Sequence, residues 1–210
     1  MPRVTVKICG LTCAEDALDA REAGADYLGF VFFPASKRRL DEGAAAWVAG
    51  VPGAKVGVFR DQPRTVVERL RDAAGLDLVQ LHGSETPAEC EALGGRERVI
   101  KAISVGGRVD WESVRRYSEV ARLLFDTASP TGGGTGAVFD WALLDGRPAG
   151  LELWLAGGLR PENVRAAVVR VRPAGVDVAS GVECALGRKD PGRIRSFIAA
   201  VRTAEREGKP

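Results

Sequence analysis

Three side chains that can transfer protons stand at comparable places in the sequence. Cys9, His82 and Asp126 each follow directly on a short apolar segment. A thiol, an imidazole and a carboxyl group act as general acids or bases when they are held on either side of a substrate. The three residues are far apart in the chain, so only the fold can bring them together. The pattern predicts acid–base chemistry on a small molecule if the apolar segments end at one place.

The counts of metal-binding residue types exclude several other chemistries. His82 is the only histidine, which argues against a site built from two or three imidazoles. The four cysteines contain no Cys-x-x-Cys pair, so neither a zinc site nor a disulfide framework is expected. We interpret Cys13, Cys90 and Cys184 as inert thiols or small apolar side chains.

The composition is that of a soluble globular protein, with 45% hydrophobic and 28% charged residues among 210. A formal net charge of +2 is too small to indicate a nucleic-acid or membrane-surface partner. No apolar run approaches the roughly 18 residues of a membrane span, and the start of the chain shows no apolar signal segment. Free thiols are typical of a reducing compartment, so we expect a cytoplasmic protein.

Strand-like and helix-like segments alternate along the whole chain. Gly-x-Asp stands before three of the strands, at 24–26, 75–77 and 175–177. The predicted strands cover 4–8, 27–33, 54–59, 78–81, 99–103, 120–125, 151–156 and 176–179. Capping-box patterns at 12–15 and 86–89 predict two helix starts. The helices predicted between the strands cover 12–23, 41–49, 63–74, a segment that begins at 86–89, 111–117, 141–144, 161–171 and 191–206.

Eight such units predict an α/β fold with a parallel sheet. Closure into a single-domain (β/α)8 barrel over residues 1–210 is favoured over an open doubly wound sheet, with 205–210 as a frayed tail. Active sites in such barrels lie at the carboxyl ends of the strands, where Cys9, His82 and Asp126 stand. Alternation along the strands points Lys7 and Asp177 into the lumen as well. Alternatively, these polar groups pair with one another inside a packed lumen.

Two glycine-containing loops indicate an anion site. Gly157 and Gly158 follow the seventh predicted strand, and Ser180 and Gly181 follow the eighth. Glycines let backbone N–H groups approach an anion, and these two loops commonly hold phosphate in barrels. Tight turns would also explain the glycines, but two loops at the expected places favour phosphate.

Two further loops lie at the predicted mouth of the barrel. Arg38 lies in the cationic segment 36–39, and an arginine at the rim can hold a carboxylate by two parallel N–H bonds. Cationic segments are equally typical of a solvent-exposed loop, so the residues allow both a carboxylate-binding arginine and an exposed one. The glycine-rich segment 131–136 predicts a mobile cover over the mouth. It lacks the Gly-Lys-Ser/Thr ending of a nucleotide-binding loop, so ATP is not expected.

The ordered set of short motifs resembles the phosphoribosylanthranilate isomerase family of tryptophan biosynthesis. It spans nearly the whole chain, and its order is more specific than any single motif. The family resemblance implies a single-domain barrel without a metal or organic cofactor. The motifs are KICGLT at 7–12, GAD at 24–26, GFVF at 29–32, SKR at 36–38, VQLHG at 79–83, DT at 126–127, GGTG at 133–136, GGL at 157–159, PENV at 161–164 and VDVASGVE at 176–183.

The resemblance also implies a reaction, the Amadori rearrangement of N-(5-phosphoribosyl)anthranilate to 1-(2-carboxyphenylamino)-1-deoxyribulose 5-phosphate. It makes Cys9 the general base and Asp126 the general acid, with Arg38 on the anthranilate carboxylate. We further expect Lys7, two residues before Cys9 on the same strand face, to favour the thiolate. The residues then expected around the substrate are Gly157, Gly158, Ser180 and Gly181 at the phosphate, and His82 and Asp177 in the pocket.

Other interpretations come from different classes of protein. A metal-dependent sugar-phosphate epimerase needs several histidine and carboxylate ligands, which one histidine does not supply. The indole-glycerol-phosphate synthase type usually needs a catalytic lysine and glutamate set, which we do not find. Another sugar-phosphate isomerase, or a barrel that binds phosphorylated metabolites without turnover, remains as the alternative. The expected partner is a small phosphorylated molecule, and the chain is expected to be a monomer or a homodimer.

Overall fold

The computed structural model describes residues 2–128 and 138–207. Within these ranges eight parallel strands close into a barrel, because the eighth strand pairs with the first. The predicted (β/α)8 barrel is therefore confirmed. The strands of the barrel are β1 (Thr5–Cys9), β2 (Tyr27–Val31), β3 (Ala54–Phe59), β4 (Leu78–Leu81), β5 (Val99–Val105), β6 (Arg122–Thr127), β7 (Trp154–Leu155) and β8 (Gly175–Val178).

The helices lie between the strands and after the last one. A small antiparallel hairpin, β9 (Glu183–Ala185) and β10 (Arg188–Lys189), stands between β8 and the last helix. The glycine-rich segment 131–136, for which a mobile cover is predicted, lies outside the described residues. The α-helices are α1 (Ala14–Glu22), α2 (Ala45–Gly50), α3 (Arg64–Ala74), α4 (Pro87–Ala92), α5 (Gly95–Arg98), α6 (Trp111–Val120), α7 (Pro161–Val171) and α8 (Pro191–Glu207), and short 3-10 helices cover Glu42–Ala44, Trp141–Leu144 and Ser180–Val182.

Apolar side chains form two layers separated by the barrel wall. Val6 and Ile8 of β1 belong to the outer core, which packs against the helices. Leu78 and Leu124 point inward and join Trp154 in a separate apolar cluster inside the barrel. Alternation along each strand produces this division, as predicted. The inner apolar cluster occupies part of the lumen, and the polar inward side chains of β1, β4, β6 and β8 lie beyond it toward the carboxyl ends.

The two predicted capping boxes have different outcomes. Thr86 and Glu89 form one at the start of α4, where the Glu89 carboxylate accepts from Thr86 N at 2.7 Å. The one predicted at Thr12 and Glu15 is wrong, because α1 starts after Cys13 without a side-chain cap. Thr12 instead donates its hydroxyl to the Gly187 carbonyl oxygen at 2.5 Å, in the turn of the β9–β10 hairpin. A tertiary contact has replaced a local one.

The C-terminal helix is ordered further than predicted. The prediction of a frayed tail is wrong for residues 205–207, which belong to α8, whereas 208–210 lie outside the described residues. Glu205 accepts a hydrogen bond from the backbone N–H of Val4 at 2.6 Å. Arg202 donates to the carbonyl oxygen of Val4 at 2.7 Å and to Glu205 at 2.6 Å. These bonds satisfy both backbone groups of the residue that enters β1.

The loops after β7 and β8 touch each other at a glycine. A side chain at Gly181 would overlap the carbonyl oxygen of Leu159, which belongs to the loop after β7. Backbone atoms cannot move aside as a flexible side chain can, so this position requires the absence of a Cβ. The contact fixes the distance between the two loops at the mouth of the barrel.

We predict that Gly181→Ala lowers the free energy of unfolding by about 1–3 kcal/mol, because the new methyl group forces the two loops apart. Urea unfolding followed by circular dichroism measures the change. Gly107→Ala is the matched control, since its added methyl group meets no atom within 4 Å. Equal stability of the two variants would show that the loops separate without cost.

Candidate active site

A cavity of about 330 Å³ lies at the carboxyl ends of the barrel strands, where the loops after the strands surround it. Its volume is at the lower end of the range for small-molecule sites. Cys9, His82 and Asp126 all line it, so the fold brings together the three proton-transferring groups. Asp177 and Arg38 line it as well. The cavity has the composition that the sequence predicts for an active site.

The pairing of β1 with β8, here called the seam, closes the barrel and contains a buried ion pair. Lys7 in β1 and Asp177 in β8 are register partners, and Lys7 Nζ lies 3.0 Å from Asp177 Oδ2. The Lys7 side chain is completely buried, which opposes its charge, but the Asp177 carboxylate and the Cys9 sulfur outweigh burial and raise the pKa of Lys7. Asp177 Oδ1 has no hydrogen-bond partner among the described residues. It can therefore accept a hydrogen bond from a ligand.

Cys9 ends β1 with its thiol in this charged environment. Burial raises the pKa of the Cys9 thiol, and the negative charge of Asp177 raises it further. Lys7 acts in the opposite direction, as predicted, but it does not outweigh the other two. A Cβ at Gly29 of β2 would lie 2.8 Å from the Cys9 sulfur and 2.9 Å from Lys7 Cε. Because Gly29 has no side chain, it leaves space for the side chains of Cys9 and Lys7.

Asp126 lies on a different side of the cavity from Cys9. Its strand, β6, is separated from β1 by β7 and β8 in one direction and by β2 to β5 in the other. Asp126 Oδ2 lies 3.3 Å from His82 Nε2, and the other ring nitrogen of His82 lies 3.3 Å from Gln80 Nε2. These contacts hold the imidazole between the amide and the carboxyl group, and the carboxyl group stays mostly buried.

The loop after β7 approaches the neighbouring strand closely. Gly157 and Gly158 have φ angles of +86° and +61°, in the left-handed region that favours glycine. A Cβ at Gly157 would overlap the hydroxyl oxygen of Thr127. Both glycines line the cavity together with Ser180. Gly181 does not line it, and its contact is with Leu159 behind the loop.

Arg38 reaches the cavity at its rim and is already engaged by a carboxylate. Its Nε and Nη2 donate to the two carboxylate oxygens of Glu183, each at 2.6 Å. Glu183 also accepts from Lys189 Nζ at 2.9 Å. Burial alone would raise the pKa of Glu183, but the hydrogen bonds from Arg38 and Lys189 and their charges hold it below its usual value. A Cβ at Gly10 would lie 2.5 Å from Arg38 Cδ, so that glycine admits the arginine side chain.

Glu183 and Lys189 were not among the predicted site residues. Glu183 closes the motif at 176–183 that carries the family resemblance, and this is the one signal that could have singled it out. Lys189 stands in a two-residue strand, which produces no detectable periodicity. Neither residue lines the cavity, because both lie behind Arg38 in the β9–β10 hairpin.

The other cysteines lie outside the cavity lining. Cys90 is buried, and burial raises the pKa of its thiol to about 11. Cys13 is half-buried and Cys184 is exposed. Among residues 2–128 and 138–207, no group of three or more histidine, cysteine, aspartate or glutamate side chains is placed to hold a metal ion.

Comparison with known proteins identifies the family. The model of the N-(5′-phosphoribosyl)anthranilate (PRA) isomerase family matches residues 6–200. N-(5′-Phosphoribosyl)anthranilate isomerase of Geobacter sulfurreducens is 49% identical over 199 residues, which cover 93% of this chain and 97% of the relative. The crystal structure of phosphoribosyl anthranilate isomerase from Thermotoga maritima matches with a TM-score of 0.85 and 41% identity, over 95% of this chain and 99% of that one.

A further solved structure is of phosphoribosyl anthranilate isomerase in complex with reduced 1-(o-carboxyphenylamino)-1-deoxyribulose 5-phosphate. It matches with a TM-score of 0.82 and 40% identity, over 95% of this chain and 99% of that one. The family model and these relatives cover nearly the whole chain, which confirms the resemblance found in its motifs. The chain therefore belongs to the N-(5′-phosphoribosyl)anthranilate isomerase family.

Proposed function

We propose that Cys9 and Asp126 are the general base and general acid of the Amadori rearrangement that this isomerase performs in tryptophan biosynthesis. The reaction converts N-(5-phosphoribosyl)anthranilate to 1-(2-carboxyphenylamino)-1-deoxyribulose 5-phosphate. The observation that carries the assignment is the position of the two groups. A thiol from β1 and a carboxyl group from β6 line one cavity from different sides.

The rearrangement moves protons and leaves the carbon skeleton unchanged. Asp126 donates a proton to the ring oxygen, so that the furanose opens to an imine. Cys9 then removes the proton from C2 of the sugar, and the resulting enolamine becomes the ketone. The acid and the base must reach different atoms of one bound sugar, which requires groups on separate strands. Each proton transfer contributes about 10²–10⁴-fold to the rate.

The remaining cavity residues bind and orient the substrate in this proposal. The backbone of Gly157, Gly158 and Ser180 surrounds the phosphate, and Arg38 holds the anthranilate carboxylate. His82 orients the Asp126 carboxyl group, from which it lies 3.3 Å away. Asp177 is a further pocket residue, whose Oδ1 accepts a hydrogen bond from the substrate. Gly181 lies outside the cavity lining and sets the spacing of the two phosphate loops.

A barrel that only binds phosphorylated metabolites is the competing function. Such a protein has no need of a buried thiol and a carboxyl group on separate strands. The deciding experiment is restoration of tryptophan-independent growth in a strain that lacks this isomerase, with Cys9→Ala as the control. Conversion of the purified substrate to product gives the same decision in vitro, because a binder shows affinity without turnover.

We further propose that the protein acts in the cytoplasm on a small phosphorylated molecule, as a monomer or a homodimer, without nucleic acid or a membrane. The four free cysteines support a reducing compartment. The small net charge gives no support for a polyanionic partner. No helix in the described part of the chain is long and apolar enough to cross a bilayer.

We predict that Cys9→Ala lowers kcat by about 10²–10⁴-fold, because the base at C2 is lost. Steady-state turnover measures the loss, and circular dichroism establishes that the barrel remains folded. Cys184→Ser is the matched control, since that thiol is exposed and lies outside the cavity lining. Near-normal turnover by Cys9→Ala would remove the thiol from the mechanism.

We predict that Asp126→Asn lowers kcat by a similar factor of about 10²–10⁴, because an amide cannot deliver the proton to the ring oxygen. The asparagine side chain has nearly the same shape and keeps the contact with His82, so the KM of the substrate should change much less than kcat. Asp72→Asn, on the exposed surface of α3, is the control for the loss of one carboxylate. A change confined to KM would assign Asp126 to binding alone.

We predict that the pKa of Cys9 rises in Lys7→Met and falls in Asp177→Asn. Lys7 stabilises the thiolate, and the negative charge of Asp177 opposes it. The pH dependence of alkylation by iodoacetamide reports the pKa, in a background with Cys13→Ser and Cys184→Ser. The pH at which kcat/KM rises should move with the pKa of the thiol. A Cys9 pKa that is unchanged in Lys7→Met would refute the role of Lys7.

A further inference from the structure

We propose that Glu183 is a positioning residue that turns Arg38 so that one edge of its guanidinium group faces the carboxylate of the substrate. The inference rests on the proposed function, in which Arg38 binds the anthranilate carboxylate. It adds a residue that lies outside the cavity lining and acts only through Arg38.

The hydrogen bonds between Arg38 and Glu183 use one edge of the guanidinium group and do not involve another edge. Glu183 accepts from Nε and Nη2, each at 2.6 Å, and so occupies one edge. A guanidinium group has five N–H donors in one plane. The adjacent end-on edge, formed by one N–H of Nη1 and the second N–H of Nη2, has no partner among the described residues. That edge offers two parallel N–H groups, the geometry that a carboxylate prefers.

Burial shows which side of Arg38 belongs to the substrate. Arg38 lines the cavity, whereas Glu183 and Lys189 do not. The Glu183 side chain is only 7% exposed and that of Lys189 is completely buried. A substrate therefore meets the arginine and not the glutamate. Gly10 supports this orientation, because a Cβ there would lie 2.5 Å from Arg38 Cδ.

Glu183 is itself held in place, so it can act as a fixed support. Lys189 Nζ donates to Glu183 at 2.9 Å and to the carbonyl oxygen of Ala179 at 3.1 Å. The backbone N–H of Lys189 donates to the buried carboxylate of Asp16 in α1 at 2.7 Å. The hairpin is thereby fixed to α1, and the carboxylate cannot follow Arg38 if the arginine swings toward the cavity.

The charged side chains of Arg38, Lys189 and Glu183 at the rim of the cavity suit the binding of one carboxylate. Arg38 is cationic and Glu183 acidic, and although burial lowers the pKa of Lys189, the Glu183 carboxylate favours the charged form of that lysine. One carboxylate of Glu183 faces both cationic side chains, which leaves positive charge for an incoming carboxylate. Without Glu183, two cations would face each other at a partly buried site, and Arg38 would be free to move away from Lys189.

The test compares two ligands that differ in the carboxylate. Reduced 1-(o-carboxyphenylamino)-1-deoxyribulose 5-phosphate carries it, and reduced 1-phenylamino-1-deoxyribulose 5-phosphate lacks only this group. We expect Glu183→Gln to raise the Kd of the first ligand by about tenfold or more and to leave the Kd of the second unchanged. The KM of the substrate should rise more than kcat falls. Calorimetric titration and steady-state kinetics measure these quantities.

A double-mutant cycle shows whether the effect passes through Arg38. In an Arg38→Met background, Glu183→Gln should leave the Kd of the carboxylate ligand unchanged, because the group that it positions is gone. Glu207→Gln is the matched control, since it breaks a two-point arginine–glutamate pair with Arg165 on the exposed surface. If Glu183→Gln does not fold, Glu183→Asp replaces it, because it keeps the charge and withdraws the carboxylate by one methylene group.

Each other outcome overturns the inference in a recognisable way. Tighter binding of the carboxylate ligand by Glu183→Gln would show that Glu183 competes with the substrate for Arg38. Equal weakening of both ligands would show a general structural role, and no change would show that Arg38 needs no support. Failure of the wild-type protein to convert the substrate would instead contradict the proposed function, whatever the binding data show.

Discussion

The pairing of the first strand with the last is the constraint on which the site depends. It places Lys7 beside Asp177, and their ion pair joins two strands that are 170 residues apart in the chain. The same pairing brings the thiol that follows Lys7 next to the loop that follows Asp177. Charged groups are rarely buried unless they are paired. If the seam opened, it would leave two charges unpaired and would separate the Cys9 thiol from the loop after β8.

The electrostatics of this seam bear on how the thiol works. Burial and the Asp177 carboxylate keep the pKa of Cys9 above that of an ordinary thiol, although Lys7 opposes them. The raised pKa favours the protonated thiol, which is the form less open to oxidation and alkylation. In the proposed role as a base Cys9 acts through its thiolate, which the positive charge of Lys7 favours. Burial thereby makes the thiol less reactive and chemically more stable.

The order of strands and helices could be predicted from the sequence because the units have a local period and three of the strands follow a glycine stop. The placement of Cys9, His82 and Asp126 in one cavity followed from barrel topology. Local signals failed where a distant partner decides the outcome, as when Thr12 bonds to the hairpin instead of capping α1. The position of Glu183 depends on Arg38, 145 residues away, and two short strands give no pattern. Burial is the largest cause of the raised pKa of Cys9, and the burial of a side chain cannot be read from the sequence before the fold is known.

The bonds from α8 to Val4 have a consequence for local opening. Glu205 and Arg202 hold both backbone groups of Val4, one residue before β1. That strand is five residues long, roughly 17 Å, and its last residue is Cys9. Fraying of the final helical turn would release the near end of the strand whose far end carries the thiol. The last turn of α8 therefore helps to hold the start of the strand that carries the thiol.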